Sequence, residues 1–111
     1  MHQKQYKFKK MKKVLFIFFI IFFNNNIFAD EKMEVGLDVY KNKAMCGTCH
    51  ALNAAGSSGE IGPNLDMLKP QIHTIISAVT NGIGVMPPWE GILTPKEIEA
   101  VAYFVFNSTN N

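Results

Sequence analysis

The stretch Cys46-Gly47-Thr48-Cys49-His50 decides how the rest of the chain is read. It is C-x-x-C-H, the spacing at which two thiols attach haem as thioethers and the adjoining histidine reaches the iron. On a helical turn the pairs Cys46/Cys49 and Cys46/His50 stand at i, i+3 and i, i+4, so all three side chains project to one side. Three plainer readings compete. A thioredoxin-type redox dithiol needs a β-sheet and more residues than this chain supplies. Zinc asks for four ligands, and beyond Asp30 only His73 is left to complete a set with Cys46, Cys49 and His50. An exported disulfide needs only the two cysteines. The histidine directly after the second cysteine separates haem from all three.

A haem that only shuttles electrons has both axial positions filled, commonly by methionine opposite histidine, which raises the potential. Beyond the leader the candidates are Met33, Met45, Met67 and Met86, with His73 as a further possibility. Met45 adjoins Cys46 and cannot cross to the other haem face. Met33 has helix-packing spacing, Met67 reads as core filler, and His73 lies one residue off an apolar helical stripe. Met86 differs, because it sits in Asn81-Gly82-Ile83-Gly84-Val85-Met86-Pro87-Pro88-Trp89. Proline stiffens that loop and glycine lets it approach closely.

Charge along the chain is uneven. Six of the eleven Lys/Arg residues precede Val14, and all nine acids lie at or after Asp30. A lysine-rich start, the apolar run Val14 to Phe23 and a small residue at Ala29 form a secretory pattern. The run is about half of the roughly 20 residues a spanning helix needs. Residues 1–29 are therefore expected to be a signal peptide and 30–111 the functional domain, in the periplasm. The membrane enters only if the leader stays uncut as an anchor. From Asp30 onward five lysines face nine acids, a net of −4, although the whole chain sums to +2. No basic cluster survives cleavage, which argues against a nucleic-acid partner. The remaining 82 residues form a domain that buries only about 60% of its unfolded surface, so a covalent staple matters.

Helical spacing runs from Met33 to Ala44, and a short helix is expected over Cys46 to Leu52. The segment 53–64 reads as a loop. Pro70 is expected to open a helix carrying Ile72, Ile75, Ile76 and Val79, stopped by Asn81-Gly82. Thr94-Pro95-Lys96-Glu97 is a capping box opening the last helix, with Ile98, Val101, Ala102 and Val105 on one face. No strand is expected.

These pieces stand in the order of a known family. Gly36-x-x-x-Tyr40, Cys46-Gly47-Thr48-Cys49-His50, Gly62-Pro63-Asn64-Leu65, Met86-Pro87 and Ala100-Val101-Ala102-Tyr103 resemble the class I (monohaem, His/Met) bacterial cytochromes c over residues 33–107. The resemblance implies an all-α cytochrome c fold, with three to four helices wrapped around one covalently attached haem c. It implies His50 and Met86 as the axial metal ligands and the Pro63 carbonyl as acceptor for the His50 ring N–H. Gly36 and Tyr40 would pack on Ala100 and Tyr103, and Trp89 would line the pocket or meet a propionate. Ile72, Ile76, Val79, Val101 and Val105 would supply its apolar wall.

The implied function is one-electron transfer by a carrier, not an enzyme, with no small-molecule substrate. Its redox donor and acceptor would carry basic docking patches. Five residues, Lys41 to Met45, separate Tyr40 from Cys46, more than in the commonest members. With Glu60 to Asp66 and Val79 to Pro87, this is similar to the cytochrome subunits of bacterial sulfite dehydrogenases. Two alternatives follow: a haem subunit permanently docked on a dehydrogenase, or a five-coordinate ligand-binding haem protein if Met86 does not ligate.

Overall fold

The computed structural model describes residues 27–111, and the basic and apolar parts of the expected leader lie outside them. The chain divides into two units, 1–30 and 31–111. Among the described residues no helix is long and apolar enough to cross a membrane. The first helix, α1 (27–38), continues into a π turn at Val39–Lys43. A π turn holds one residue more than an α turn, and here the Ala44 N–H reaches back to the Val39 carbonyl at 2.8 Å. Met45 then takes a left-handed backbone, φ 49°. The unusually long approach from Tyr40 to Cys46 is accommodated by this wide turn and reversal.

The expected helix over Cys46 to Leu52 is only a 3-10 turn, Cys46–Thr48. After it the chain extends as β1 (Ala51–Leu52), pairs antiparallel with β2 (Ser57–Ser58), and turns between them through Asn53–Ala55 and Gly56. The expectation of no strand is thus corrected by a two-residue ladder. It closes because Gly56 adopts φ 64°, the left-handed region that glycine enters at no steric cost.

Helix α2 (Leu65–Leu68) is capped by Asn64, whose side chain accepts from the Met67 N–H at 3.2 Å. Helix α3 (Ile72–Asn81) starts two residues later than expected. Lys69 turns left-handed (φ 47°) to end α2, and Gln71 stands at the N-cap of α3, which leaves Pro70 outside the helix it was expected to open. Gly82 (φ 72°) stops α3 as its sequence position implies.

Helix α4 (Pro95–Thr109) carries both halves of the expected capping box. The Glu97 N–H donates to Thr94 Oγ1 and the Thr94 N–H to Glu97 Oε1, each at 3.2 Å. Ile98, Val101, Ala102, Phe104 and Val105 of α4 are buried against Ile75 and Val79 of α3 and Val39 and Tyr40 of the π turn. Gly36 sits where α1 crosses α4. A Cβ there would run into the Ala100 carbonyl oxygen and Phe104 Cβ. Tyr40 meets Phe104 edge-on, ring centroids 5.9 Å apart. Phe104 therefore takes the crossing position expected of Tyr103, whose ring instead lies 5.2 Å beneath the Lys32 ammonium.

Candidate functional site

The 3-10 turn places the expected attachment residues without a full helix. The Cys49 N–H donates to the Cys46 carbonyl at 3.1 Å, and the His50 N–H reaches the same oxygen at 3.0 Å. That second bond preserves the i, i+4 relation from which the common projection of Cys46, Cys49 and His50 was argued. Both thiols are free and half-buried. Burial pushes the Cys46 thiol up to about 11, so it stays protonated at neutral pH.

His50 is held from its ring. Nδ1 lies 2.7 Å from the Pro63 carbonyl oxygen. A carbonyl only accepts, so Nδ1 carries the proton and the Nε2 lone pair is left for a metal. The segment 62–63 can come this close because Gly62 has no side chain. A Cβ on it would stand 2.5 Å from His50 Cε1 and 2.8 Å from Nδ1. The Gly62 N–H is anchored on the Cys49 carbonyl at 2.7 Å. Gly59 lies as tightly against the Gly47 to Cys49 backbone, where a Cβ would be 2.6–2.8 Å from main-chain atoms. Sequence reasoning named Gly62 only as part of the Gly62-Pro63-Asn64-Leu65 phrase and passed over Gly59. The one signal was their place in a Gly-rich loop ending at Pro63.

The donor set fits a covalent haem. Two unpaired thiols share one turn, and an imidazole stands beside them with Nδ1 engaged and Nε2 free. A disulfide is not formed. Among the described residues no three His, Cys, Asp or Glu side chains are arranged to hold a metal ion.

Met86 lies on a tight turn closed by two backbone bonds with Ile83, Met86 N–H to the Ile83 carbonyl at 2.9 Å and Ile83 N–H to the Met86 carbonyl at 3.1 Å. Gly82 is indispensable there, since a Cβ would fall 2.5 Å from the Met86 carbonyl oxygen and 2.8 Å from Pro88 N. The loop is pinned to α3 by the Trp89 N–H, which donates to the Val79 carbonyl at 2.9 Å. Met86 and Trp89 are half-buried against the core. By contrast Met45 and Met67 are 62% and 82% exposed, and Met33 packs on the core from α1. Of the expected apolar wall, Val79, Val101 and Val105 are sealed inside the core, while Ile72 and Ile76 keep an open side.

Tyr40 and Ser57 belong to the site as well. Ser57 Oγ donates to the His50 carbonyl at 2.8 Å, and Tyr40 Oη lies 3.1 Å from that carbonyl and 3.0 Å from Ser57 Oγ. Burial raises the Tyr40 hydroxyl above the ordinary tyrosine range. Sequence reasoning gave Tyr40 only a packing role and passed over Ser57, because a contact across 17 residues leaves no local signature.

Comparisons with known proteins fit this geometry. Residues 31–105 match the family described as cytochrome C oxidase, cbb3-type, subunit III. The cbb3-type cytochrome c oxidase subunit FixP of Bradyrhizobium sp. (strain ORS 278) is 42% identical over 65 residues. That match covers 54% of this chain and only 22% of FixP, so the chain spans about a fifth of that relative. Cytochrome c6 of Gracilaria tenuistipitata var. liui is 32% identical over 108 residues, covering 89% of this chain and 97% of its own. The crystal structure of the c-type cytochrome SorU from Sinorhizobium meliloti superposes with a TM-score of 0.68 at 43% identity, over 74% of this chain and 95% of that one.

Proposed function

We propose that this chain, which belongs to the class I monohaem cytochromes c, is an exported one-electron carrier whose axial ligands are His50 and Met86. One haem c is held covalently through Cys46 and Cys49. When bound, it supplies the Fe(III)/Fe(II) couple. The observation that carries the reading is the 2.7 Å contact between His50 Nδ1 and the Pro63 carbonyl, which directs Nε2 away as a ligand. Such an outer hydrogen bond fixes the tautomer and raises the basicity of the ring. Met86 is the methionine that meets the other requirement: half-buried, on a proline-stiffened loop tied to α3. With both axial positions filled by the chain, no position is left for a substrate.

The surface beyond Asp30 is net acidic, so the redox partners are proposed to dock through basic patches, quickly and reversibly. The sequence phrases shared with cytochrome subunits of sulfite dehydrogenases make a sulfite-oxidising dehydrogenase the candidate donor. The basic and apolar leader supports export to the periplasm. A visible spectrum of the haem-loaded protein and of Met86→Ala tests the ligand set. The far-red sulfur–iron band should be present in the first and lost in the second. An identical band in both would reject Met86.

A further inference from the structure

We infer that Tyr40 and Ser57 form a hydroxyl clamp on the His50 main chain that sets the orientation of the axial imidazole, and through it the reduction potential. This rests on the reading of His50 as an iron ligand. The ring of His50 is held at one end by the Pro63 carbonyl. Its own carbonyl is held at the other by two hydroxyls from distant parts of the chain. Ser57 Oγ donates to that oxygen at 2.8 Å, and Tyr40 Oη lies 3.1 Å from it and 3.0 Å from Ser57 Oγ, so either oxygen can accept the Tyr40 proton. The three oxygens close a triangle in which each hydroxyl proton has an acceptor.

The surroundings make the clamp stiff. Tyr40 is 1% exposed, comes from the π turn, and is braced by Phe104. Ser57 is fixed by the pairing of Leu52 with Ser57. Gly47, the first residue between the cysteines, is what lets Ser57 approach, while Tyr40 would stand in ordinary contact. A Cβ there would stand 2.7 Å from Ser57 Cβ and 3.5 Å from Tyr40 Cε1. The clamp therefore spans α1's extension, the attachment turn and the β1–β2 ladder, and all three meet at the peptide that follows the His50 ring. A peptide freed at this point lets the ring turn. Turning weakens the bond from Nδ1 to Pro63, and the imidazole then donates less electron density to iron. The reduced state gains, so the potential rises.

The test uses the haem-loaded protein with Tyr40→Phe, Ser57→Ala and the double variant. Val39→Ala serves as control: that side chain is as buried as Tyr40 but has no part in the clamp. The expected result is a shift of the Fe(III)/Fe(II) equilibrium toward the reduced form by about threefold in each single variant, roughly 30 mV at 59 mV per decade. The double variant should shift by less than the two singles combined, since both act on one oxygen. Val39→Ala should lower the melting temperature and leave the potential alone. Potentials unchanged in both single variants, or an equal shift in Val39→Ala, would overturn the clamp. If Tyr40→Phe fails to mature with haem, Ser57→Ala decides by itself. A parent spectrum without histidine ligation would instead reject the ligand assignment, so the two failures are distinguishable.

Discussion

Gly62→Ala is the sharpest probe of how His50 is held. The added methyl would sit 2.5 Å from His50 Cε1, where ordinary contact begins at 3.4 Å. The ring and the 62–63 segment must separate by roughly 1 Å to restore ordinary contact. The Nδ1–Pro63 bond, 2.7 Å at the outset, then exceeds the range of a hydrogen bond. Overpacking of this kind costs about 1–3 kcal/mol, and the lost bond about 0.5–1.5 kcal/mol more. Glycine-to-alanine stiffening of the unfolded chain returns about 0.4–1 kcal/mol. The net loss spans about 0.5–4 kcal/mol and is about 2 kcal/mol at mid-range. For a domain of this size the mid-range loss lowers the melting temperature by roughly 8–16 °C. The assay is thermal melting of the haem-loaded protein, followed at a visible band, together with its reduction potential. Melting within about 2 °C of the parent with an unchanged potential would refute the placement of Gly62 against the ring.

Other perturbations test the frame and the surface. Gly36→Val should fold poorly or melt far below the parent, because its side chain meets the Ala100 carbonyl at the α1–α4 crossing; a parent-like melt would displace that crossing. Thr94→Ala removes the cap of α4 and should cost about 1 kcal/mol in urea unfolding. Lys43, 2.6 Å from Glu97 Oε2, together with the Thr94 N–H, holds the Glu97 carboxyl below the usual range. A depressed carboxylate stabilises the fold above its unfolded pKa, and the contribution is lost as pH falls through the folded value. Glu97→Gln should therefore flatten the acid limb of the stability profile below about pH 4.3, as urea melts across pH will report. The acidic surface predicts that electron exchange with a cationic small-molecule oxidant slows as salt rises, while exchange with an anionic one quickens; the opposite pair of slopes would reverse the expected charge of the partners.

What the sequence made legible was local. Thr94, Pro95 and Glu97 stand within one turn, and the capping box they imply is present. Asn81-Gly82 ends α3 as expected, and the Ile98, Val101, Ala102, Val105 face is buried as a unit. Within C-x-x-C-H the His50 N–H closes on the Cys46 carbonyl, an i, i+4 bond, even though the turn is 3-10 and not the expected helix. What stayed hidden depended on contacts between distant residues or on unusual backbone. The π turn has no residue signature, and its cause lies in five residues that must fit between Tyr40 and Cys46. The β1–β2 pairing is too short to show alternation. Pro70 lost its expected helix start to Lys69, which ends α2 in a left-handed conformation that lysine seldom adopts. Phe104 takes the place at the helix crossing that the resemblance gave to Tyr103, one helical position away. The approach of the Gly62-Pro63 segment to His50 is implied by the resemblance, but Tyr40 and Ser57 converge on the His50 carbonyl from two further segments, and no pattern within either announces it.

The central claim, a carrier with both axial positions filled by the chain, is tested most directly by exposing the reduced haem-loaded protein to carbon monoxide at neutral pH during a potentiometric titration. The account predicts a reversible one-electron wave and a visible spectrum that carbon monoxide leaves unchanged. Rapid formation of a carbon monoxide complex by the parent protein would contradict it and make the chain a five-coordinate, ligand-binding haem protein.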